Sequence, residues 1–290
     1  MKFILIASGK IPSYLNYCIN QIKKTQKKTL IYLLINKSSN YKNKNCKIVF
    51  IENLKKTKEH LLFIEKSKLA GDSYRNFFWR HSIERLYHIN NFLIQKNQKN
   101  IIHIENDVLL FQNLKTVFDK IKKFNFACVR DSSTRVIGSF LFIKDKETSK
   151  KIVKISNNYL DLNDMRILNK IDKKIPRSLN LPIGENLNFI KKSKNFGLIK
   201  KIPYIFDAAA IGQFIDGPHR TKKISKFINF IKMFFKKRDG FINAETKLNI
   251  STWDIKWKNN KPYKISNGKF IPIANLHLHS KNLKKFVNRL

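Results

Sequence analysis

The segment from residue 100 to residue 111 constrains the fold more than any other part of this chain. An apolar run typical of a buried β-strand leads directly into Glu105 and Asp107. Because side chains two residues apart point to the same side of an extended chain, both carboxylates are expected to face the same space. Mg²⁺ and Mn²⁺ prefer oxygen ligands and are commonly held by one or two carboxylates together with phosphates. The spacing therefore indicates a metal site, although a polar turn after a core strand has the same pattern.

Short apolar runs alternate with helical patterns through the first half of the chain. Strands are predicted at residues 3–8, 30–36, 47–51, 126–130 and 137–144, and helices at 11–25, 58–69, 74–95 and 114–124. The second half is less regular, with helices predicted at 147–160 and 162–171 and strands at 251–258 and 269–279. This alternation predicts an α/β fold with a mostly parallel sheet, whose ligands bind at the carboxyl ends of the strands.

The net charge of +39 suggests nucleic acid or an anionic membrane surface as a partner. Only 10 of the 59 basic residues are Arg, which reads phosphates and bases better than Lys does. The basic residues are also spread along the chain, so composition drift is favoured and no nucleic acid is expected. The apolar runs are far shorter than the ~20 residues that span a bilayer. Three scattered cysteines, Cys18, Cys46 and Cys128, are typical of a reducing cytoplasm.

Several short motifs occur in a fixed order along residues 1–285. They are Ile-Glu-Arg-Leu-Tyr at 83–87, the acidic segment at 101–109, Gly-Ser-Phe-Leu-Phe-Ile at 138–143, Asp-Met-Arg-Ile-Leu-Asn at 164–169, Leu-Pro-Ile-Gly-Glu-Asn at 181–186, and a final strand with His and a nearby Lys. As an ordered set they resemble nucleotide-sugar glycosyltransferases of the GT-A fold, most similar in layout to family 8 and its relatives. The resemblance implies a Rossmann-like mixed sheet flanked by helices. It also implies a nucleotide-sugar-binding half at 1–145 and a less regular acceptor-binding half at 146–290.

The resemblance further implies Mn²⁺ or Mg²⁺ bound by an Asp-x-Asp motif and a later His, against the diphosphate of a UDP-sugar. Here the motif is Glu-Asn-Asp, so Glu105 and Asp107 take the metal positions, and the longer Glu105 could instead contact ribose or water. The family's terminal motif is replaced by Asn-Leu-His-Leu-His-Ser-Lys at 275–281. His277 and His279 share one face of a strand, and either could complete the metal site. Lys281 is placed to neutralise phosphate.

Other candidate site residues follow from the same comparison. Arg85 matches a donor-side position, and Ala7 and Ser8 close the first strand, where this fold seats the nucleotide base; an isolated Arg is otherwise typical of a solvated helix face. Asp164 matches the acceptor-side acid that serves as a base in inverting enzymes, but an acid at a helix start is also stabilised by the helix dipole. Asp207 lies among small residues, which allows close approach of a ligand or simply tight packing. Asp164 and Asp207 are the candidate catalytic acids.

Residues 221–238 form a basic amphipathic helix pattern with Phe on one face, typical of contact with an anionic membrane or of a helix packed on the domain. Two other function classes stay open: a basic nucleic-acid-binding protein, and a sugar nucleotidyltransferase. The latter usually has a Gly-rich phosphate loop, whereas residues 8–12 contain a single Gly. The sequence therefore predicts a metal-dependent glycosyltransferase of the cytoplasm, peripheral at the inner membrane face. We expect it to act on a glycan or lipid-linked acceptor in surface polysaccharide or lipopolysaccharide biosynthesis.

Overall fold

A computed structural model describes residues 1–69, 78–184, 196–199, 201–217, 248 and 250–287. The strands are β1 (Lys2–Ala7), β2 (Leu30–Ile35), β3 (Lys47–Phe50), β4 (Ile101–Ile104), β5 (Val108–Leu110), β6 (Phe126–Arg130), β7 (Val136–Ile143), β8 (Ser178–Asn180), β9 (Ile205–Phe206), β10 (Asp254–Lys258), β11 (Lys261–Ser266) and β12 (Lys269–His277). The helices are α1 (Leu15–Thr25), α2 (Lys58–Leu69), α3 (Phe78–Gln95), α4 (Lys115–Ile121), α5 (Lys146–Ser156), α6 (Asp164–Lys174), α7 (Phe196–Ile199), α8 (Ala210–Asp216) and α9 (Lys284–Val287).

The main sheet of the described residues has seven strands in the order β3-β2-β1-β4-β7-β6-β8. All run parallel except β7, which is antiparallel to both of its neighbours. The strand order reverses between β1 and β4, so the carboxyl ends of these strands flank the switch point where open α/β sheets bind ligands. The predicted fold class, an α/β fold with a Rossmann-like mixed sheet flanked by helices, is confirmed.

Apolar layers cover both faces of this sheet. In β1, Phe3 and Leu5 pack with α1, whereas Ile4 packs with the α3 side. All three side chains are fully buried. A strand buried on both faces gains burial energy at every position, which is why these strands read as continuous apolar runs rather than as alternating ones.

A smaller antiparallel sheet has the order β10-β11-β12-β5, and β9 pairs in parallel with β12. Because β12 pairs with β5, with His277 opposite Val108, the end of the chain comes to the acidic segment. The strand predicted to lead into the acids is observed as β4, which ends at Ile104, directly before Glu105. The chain is not extended through the acids, however, because a turn closed by the Val108 N–H and the Glu105 carbonyl separates β4 from β5. The two acids therefore lie between strands of different sheets. The predicted strand at 269–279 also ends earlier, at His277.

The predicted helix at 221–238 lies outside the described residues. In the described part of the chain, no helix combines the length and the apolar character that crossing a bilayer requires.

Candidate active site

The turn between β4 and β5 is tied to the end of β1. The Asn106 side chain donates a hydrogen bond to the Ile6 carbonyl at 2.7 Å, one residue before Ala7. Ala7 is buried and Ser8 is half-buried at the carboxyl end of this strand. The turn that carries the acids is thereby placed beside the two residues predicted to seat the nucleotide base, at the switch point of the sheet.

Glu105, Asp107 and His277 form a compact cluster. The His277 Nε2 atom lies 3.1 Å from Glu105 Oε2 and 3.3 Å from Asp107 Oδ1. One ligand atom from each residue lies within 4.8 Å of the others. The His277 Nδ1–H donates to the Ala208 carbonyl at 2.6 Å, which directs Nε2 at the carboxylates in the arrangement usual for metal-binding histidines. Two carboxylates and one imidazole therefore fit a divalent cation such as Mn²⁺ or Mg²⁺.

Two basic side chains compensate the acids. Lys281 Nζ forms an ion pair with Asp107 Oδ2. Arg85 forms one ion pair with Glu105 and a second with Asp164, whose Oδ2 lies 2.7 Å from Arg85 Nη2. These partners matter because a carboxylate buried without a compensating charge would be strongly destabilising.

The pKa values of the cluster follow from these partners. Burial alone would raise the pKa of Glu105, but Arg85 and then His277 outweigh it and lower the value. Burial likewise opposes ionisation of Asp107, yet Lys281 and His277 hold its pKa well below the usual range. Burial lowers the pKa of His277, but Asp107 and Glu105 together raise it to about 9. Both acids are therefore ionised at neutral pH, as metal ligands must be, whereas His277 carries a proton that a bound cation would displace.

Asp164 is the first residue of α6 and lies on the far side of Arg85 from Glu105. The preceding Asn163 caps this helix by accepting the Arg166 N–H at 3.0 Å. Burial raises the pKa of Asp164, and Arg85 opposes that shift. One arginine therefore links the acid of the cluster to the acid predicted to act on the acceptor.

Arg85 reaches Glu105 across Gly138 of β7. A Cβ atom at this position would lie 2.8 Å from Arg85 Nη2 and 3.2 Å from Glu105 Oε1. A side chain at this position would oblige the Arg85 guanidinium to move away from its observed place. A Gly inside a buried strand is a sequence signal for such a close approach, but Gly138 was not among the predicted site residues.

His279 and Lys281 follow β12. The His279 ring centre lies 4.4 Å from that of His277, and its Nδ1 faces the Gln213 amide nitrogen at 3.2 Å. Burial and then the neighbouring His277 lower the pKa of His279 to about 3. His279 thus lies outside the three-residue cluster. Lys281 has a left-handed backbone with φ of 63°, and its N–H donates to the Leu278 carbonyl in a tight turn.

Asp207 does not face the cluster directly. Its carboxylate is buried and accepts backbone N–H groups from Ile211, Gly212 and His277. Tyr14 is a neighbour that sequence reasoning did not identify: Lys281 Nζ lies 5.8 Å from its ring centre, and burial raises the pKa of its hydroxyl to about 12.

No known family model matches this chain, and no curated protein matches it. Among solved structures, the chain is similar to the galactosyltransferase LgtC in complex with donor and acceptor sugar analogues, with a TM-score of 0.46 and 11% identity over 69% of this chain and 82% of LgtC. Mouse xyloside xylosyltransferase 1 gives a TM-score of 0.41 and 8% identity over 69% and 93% of the two chains. The glycosyltransferase GlyE of Streptococcus pneumoniae gives 0.40 and 12% over 69% and 51%. These are likenesses between backbones, and each activity belongs to the protein named.

Proposed function

We propose that this chain is a metal-dependent glycosyltransferase that moves a sugar from a UDP-sugar to a glycan or lipid-linked acceptor. One observation carries the proposal: two carboxylates and an imidazole converge at the switch point of an open α/β sheet, with a lysine beside them. Such sheets bind ligands at that edge, and a hard cation with diphosphate ligands suits this donor set. The order of the sequence motifs supports the same assignment, with glycosyltransferase family 8 as the most similar layout.

In this proposal, Glu105, Asp107 and His277 hold Mn²⁺ or Mg²⁺. When bound, the cation offsets the charge that develops on the diphosphate leaving group. His277 is assigned to the metal in preference to His279, whose ring lies outside the cluster. Lys281 is assigned to the diphosphate because its ammonium group already lies beside Asp107.

The remaining assignments concern the nucleotide and the acceptor. Ala7 and Ser8 contact the nucleotide base, which their place at the end of β1 supports. Asp164 is assigned as the catalytic carboxylate, which its ion pair with Arg85, the partner of Glu105, supports by placing it next to the cluster. The two ion pairs of Arg85 hold the carboxylates of Asp164 and Glu105 in a fixed geometry relative to each other. Residues 1–145 supply the donor side and residues 146–290 the acceptor side, and the pairing of β12 with β5 completes the metal site from both halves.

We further propose that the enzyme acts in surface polysaccharide or lipopolysaccharide biosynthesis, in the cytoplasm and peripheral at the inner membrane face. The basic amphipathic pattern at residues 221–238, known from the sequence alone, supports this location, because an anionic leaflet attracts basic segments.

The variant Asp107→Asn tests the proposed function. It removes one metal ligand and one charge while keeping the side chain's size. We expect Mn²⁺-dependent release of UDP from a UDP-sugar, with or without acceptor, to fall by more than ~100-fold. The measurement is UDP release across a Mn²⁺ titration.

The matched control is Asp119→Asn on α4. This aspartate is exposed and pairs only with Lys115 and Lys122 on the surface, among the contacts of the described residues. It should release UDP at the wild-type rate, because exposed pairs of this kind contribute little to stability. Wild-type release of UDP by a folded Asp107→Asn variant would refute the assignment.

A further inference from the structure

The carboxylate of Asp207 makes its hydrogen bonds with buried backbone groups. Asp207 is 1% exposed. Its Oδ1 accepts the Ile211 N–H at 2.9 Å, and its Oδ2 accepts the N–H groups of Gly212 at 2.8 Å and His277 at 2.9 Å. Three backbone donors on one buried carboxylate hold it in place. A general base, by contrast, must reach the proton that it removes.

The backbone of Asp207 is held as firmly as its side chain. The Asn275 amide donates to the Asp207 carbonyl at 3.0 Å and accepts its N–H at 3.2 Å. The Ser139 hydroxyl donates to the same carbonyl at 3.2 Å. The backbone of Asp207 is therefore bound to β12 and β7 independently of the contacts that its carboxylate makes.

Gly212 brings α8 directly against β12. A Cβ atom on Gly212 would lie 2.0 Å from the His277 carbonyl oxygen and 2.7 Å from its carbon. These are backbone atoms, so the contact cannot be relieved by a side-chain rotation. The absence of a side chain at Gly212 lets the Asp207 carboxylate bind both the helix and the strand.

The same segment also orients the His277 ring. Ala208, the residue after Asp207, supplies the carbonyl that accepts the His277 Nδ1–H at 2.6 Å. The backbone N–H and the ring Nδ1–H of His277 are thus both bound by consecutive residues. With these two contacts made, Nε2 is turned toward Glu105 and Asp107.

We propose that Asp207 is a positioning residue, which with Gly212 and Ala208 sets the direction of His277 Nε2, and that it does not touch the substrate. The proposal replaces a catalytic role for Asp207 and rests on the proposed function, because aiming Nε2 serves metal and donor binding. Partners that orient a metal-binding histidine typically change metal affinity by about 10–100-fold when they are removed.

The test compares Asp207→Asn with Asp145→Asn. The Asp145 side chain also accepts a helix N–H, that of Thr148 at 2.8 Å. Asp145 follows β7, however, and so lies at the end of the sheet away from the carboxyl ends of the parallel strands. Free Mn²⁺ is measured by electron paramagnetic resonance, and exchange of the His277 Nδ1–H with water by NMR of the metal-free protein. The His277 signal is assigned by its loss in His277→Gln. Thermal unfolding confirms that each variant folds.

We expect Asp207→Asn to weaken Mn²⁺ binding by about 10-fold or more and to speed exchange of the Nδ1–H, while Asp145→Asn matches the wild type. Wild-type Mn²⁺ affinity and slow exchange in a folded Asp207→Asn variant, with turnover lost, would make Asp207 catalytic and overturn the proposal. If the Asp207→Asn variant does not fold, the NMR spectrum of the wild type tests the proposal. Rapid exchange of the His277 Nδ1–H would contradict its hydrogen bond to the Ala208 carbonyl and overturn the proposal.

The two proposals fail differently. If the wild-type protein binds no Mn²⁺, the proposed function is wrong, but the exchange measurement still decides whether Asp207 positions His277. If the wild type binds Mn²⁺ and Asp207→Asn binds it equally well, only the positioning role is wrong.

Discussion

The two carboxylate oxygens of Glu105 face two different basic side chains. One carboxylate oxygen of Glu105 pairs with Arg85, and the other lies 3.1 Å from His277 Nε2. The side chain therefore spans two basic partners on opposite sides. This contact depends on Gly138, because any side chain there would meet both Arg85 and Glu105.

The variant Gly138→Ala should separate Arg85 from Glu105. The added Cβ would lie 2.8 Å from Arg85 Nη2, closer than carbon and nitrogen normally approach, so the guanidinium must shift. We expect weaker Mn²⁺ binding and UDP release lowered by about 10-fold, as for other partners that orient metal ligands. Gly197→Ala on α7 is the control, because a Cβ there meets nothing within 4 Å. Equal activity of the two variants would show that Arg85 does not support the site.

At the scale of single residues, spacing predicted some of the site and could not predict the rest. Glu105 and Asp107 were identified because both belong to one short segment. The sequence could not decide between His277 and His279. The structure separates them because β12 ends at His277 and because the Ala208 carbonyl, from a distant segment, binds the His277 ring. The small residues around Asp207 indicated a close approach, but not that the approaching group is the backbone of β12.

Helices α2 and α3 meet around a second buried polar cluster. The Glu84 Oε1 atom lies 3.2 Å from His60 Nε2 and 4.0 Å from His88 Nε2, and His81 lies 3.9 Å from the other oxygen. Burial, with smaller contributions from His60, Lys56 and His81, lowers the pKa of His88 to about 4 against the opposing effect of Glu84. The folded protein therefore holds His88 neutral.

This arrangement predicts acid sensitivity. Between pH 6.5 and about 4 the unfolded chain binds a proton at His88 and the folded chain does not, so stability falls as pH falls. We expect His88→Asn to reduce the slope of the unfolding free energy in this window by up to ~1.4 kcal/mol per pH unit. Urea unfolding at several pH values measures it. Asp119→Asn on α4 is the control, because this exposed residue lies outside the cluster. An unchanged slope in His88→Asn would contradict the neutral, buried state.

The sequence pattern predicted some whole elements with the bounds that are observed. Helix α2 was predicted at residues 58–69 and is observed at Lys58–Leu69, and β6 likewise matches at Phe126–Arg130. The end of β4 at the acids was predicted, but β5 was not predicted as a separate strand, because its three buried residues are too few to form a pattern of their own. Strand β9 has two residues and exists through its pairing with β12, which no local pattern reveals.

At the scale of the whole molecule, the basic charge and the acidic cluster indicate different partners. The rival prediction of nucleic-acid binding rests on the net charge of +39, whereas UDP-sugar binding rests on one buried site. The two differ in salt dependence, because phosphate-backbone contacts weaken steeply as salt rises.

Thermal unfolding with ligands separates these alternatives. A ligand that binds only the folded state, at a free concentration 100 times its Kd, stabilises that state by ~2.7 kcal/mol. Each kcal/mol raises the Tm of a chain of similar size by about 2–4 °C, so the expected shift is several degrees. We expect UDP with Mn²⁺ to raise Tm in this way, Mn²⁺ alone to raise it less, and Asp107→Asn to abolish the combined effect. No shift with any nucleotide, together with salt-sensitive retention on DNA, would favour the nucleic-acid class instead.

The pairing of β12 with β5 has a consequence for synthesis on the ribosome. Asp107 and its partner Lys281 are 174 residues apart in the sequence. The acidic turn and the parallel strands around it emerge first during translation, and His277 emerges much later. A nascent chain arrested before β12 leaves the exit tunnel would therefore lack His277, the third residue of the proposed metal site, and we expect it not to retain the proposed donor. Closing such a distant contact is also slow relative to local folding, so we expect the proposed site to be completed at a late step of biogenesis.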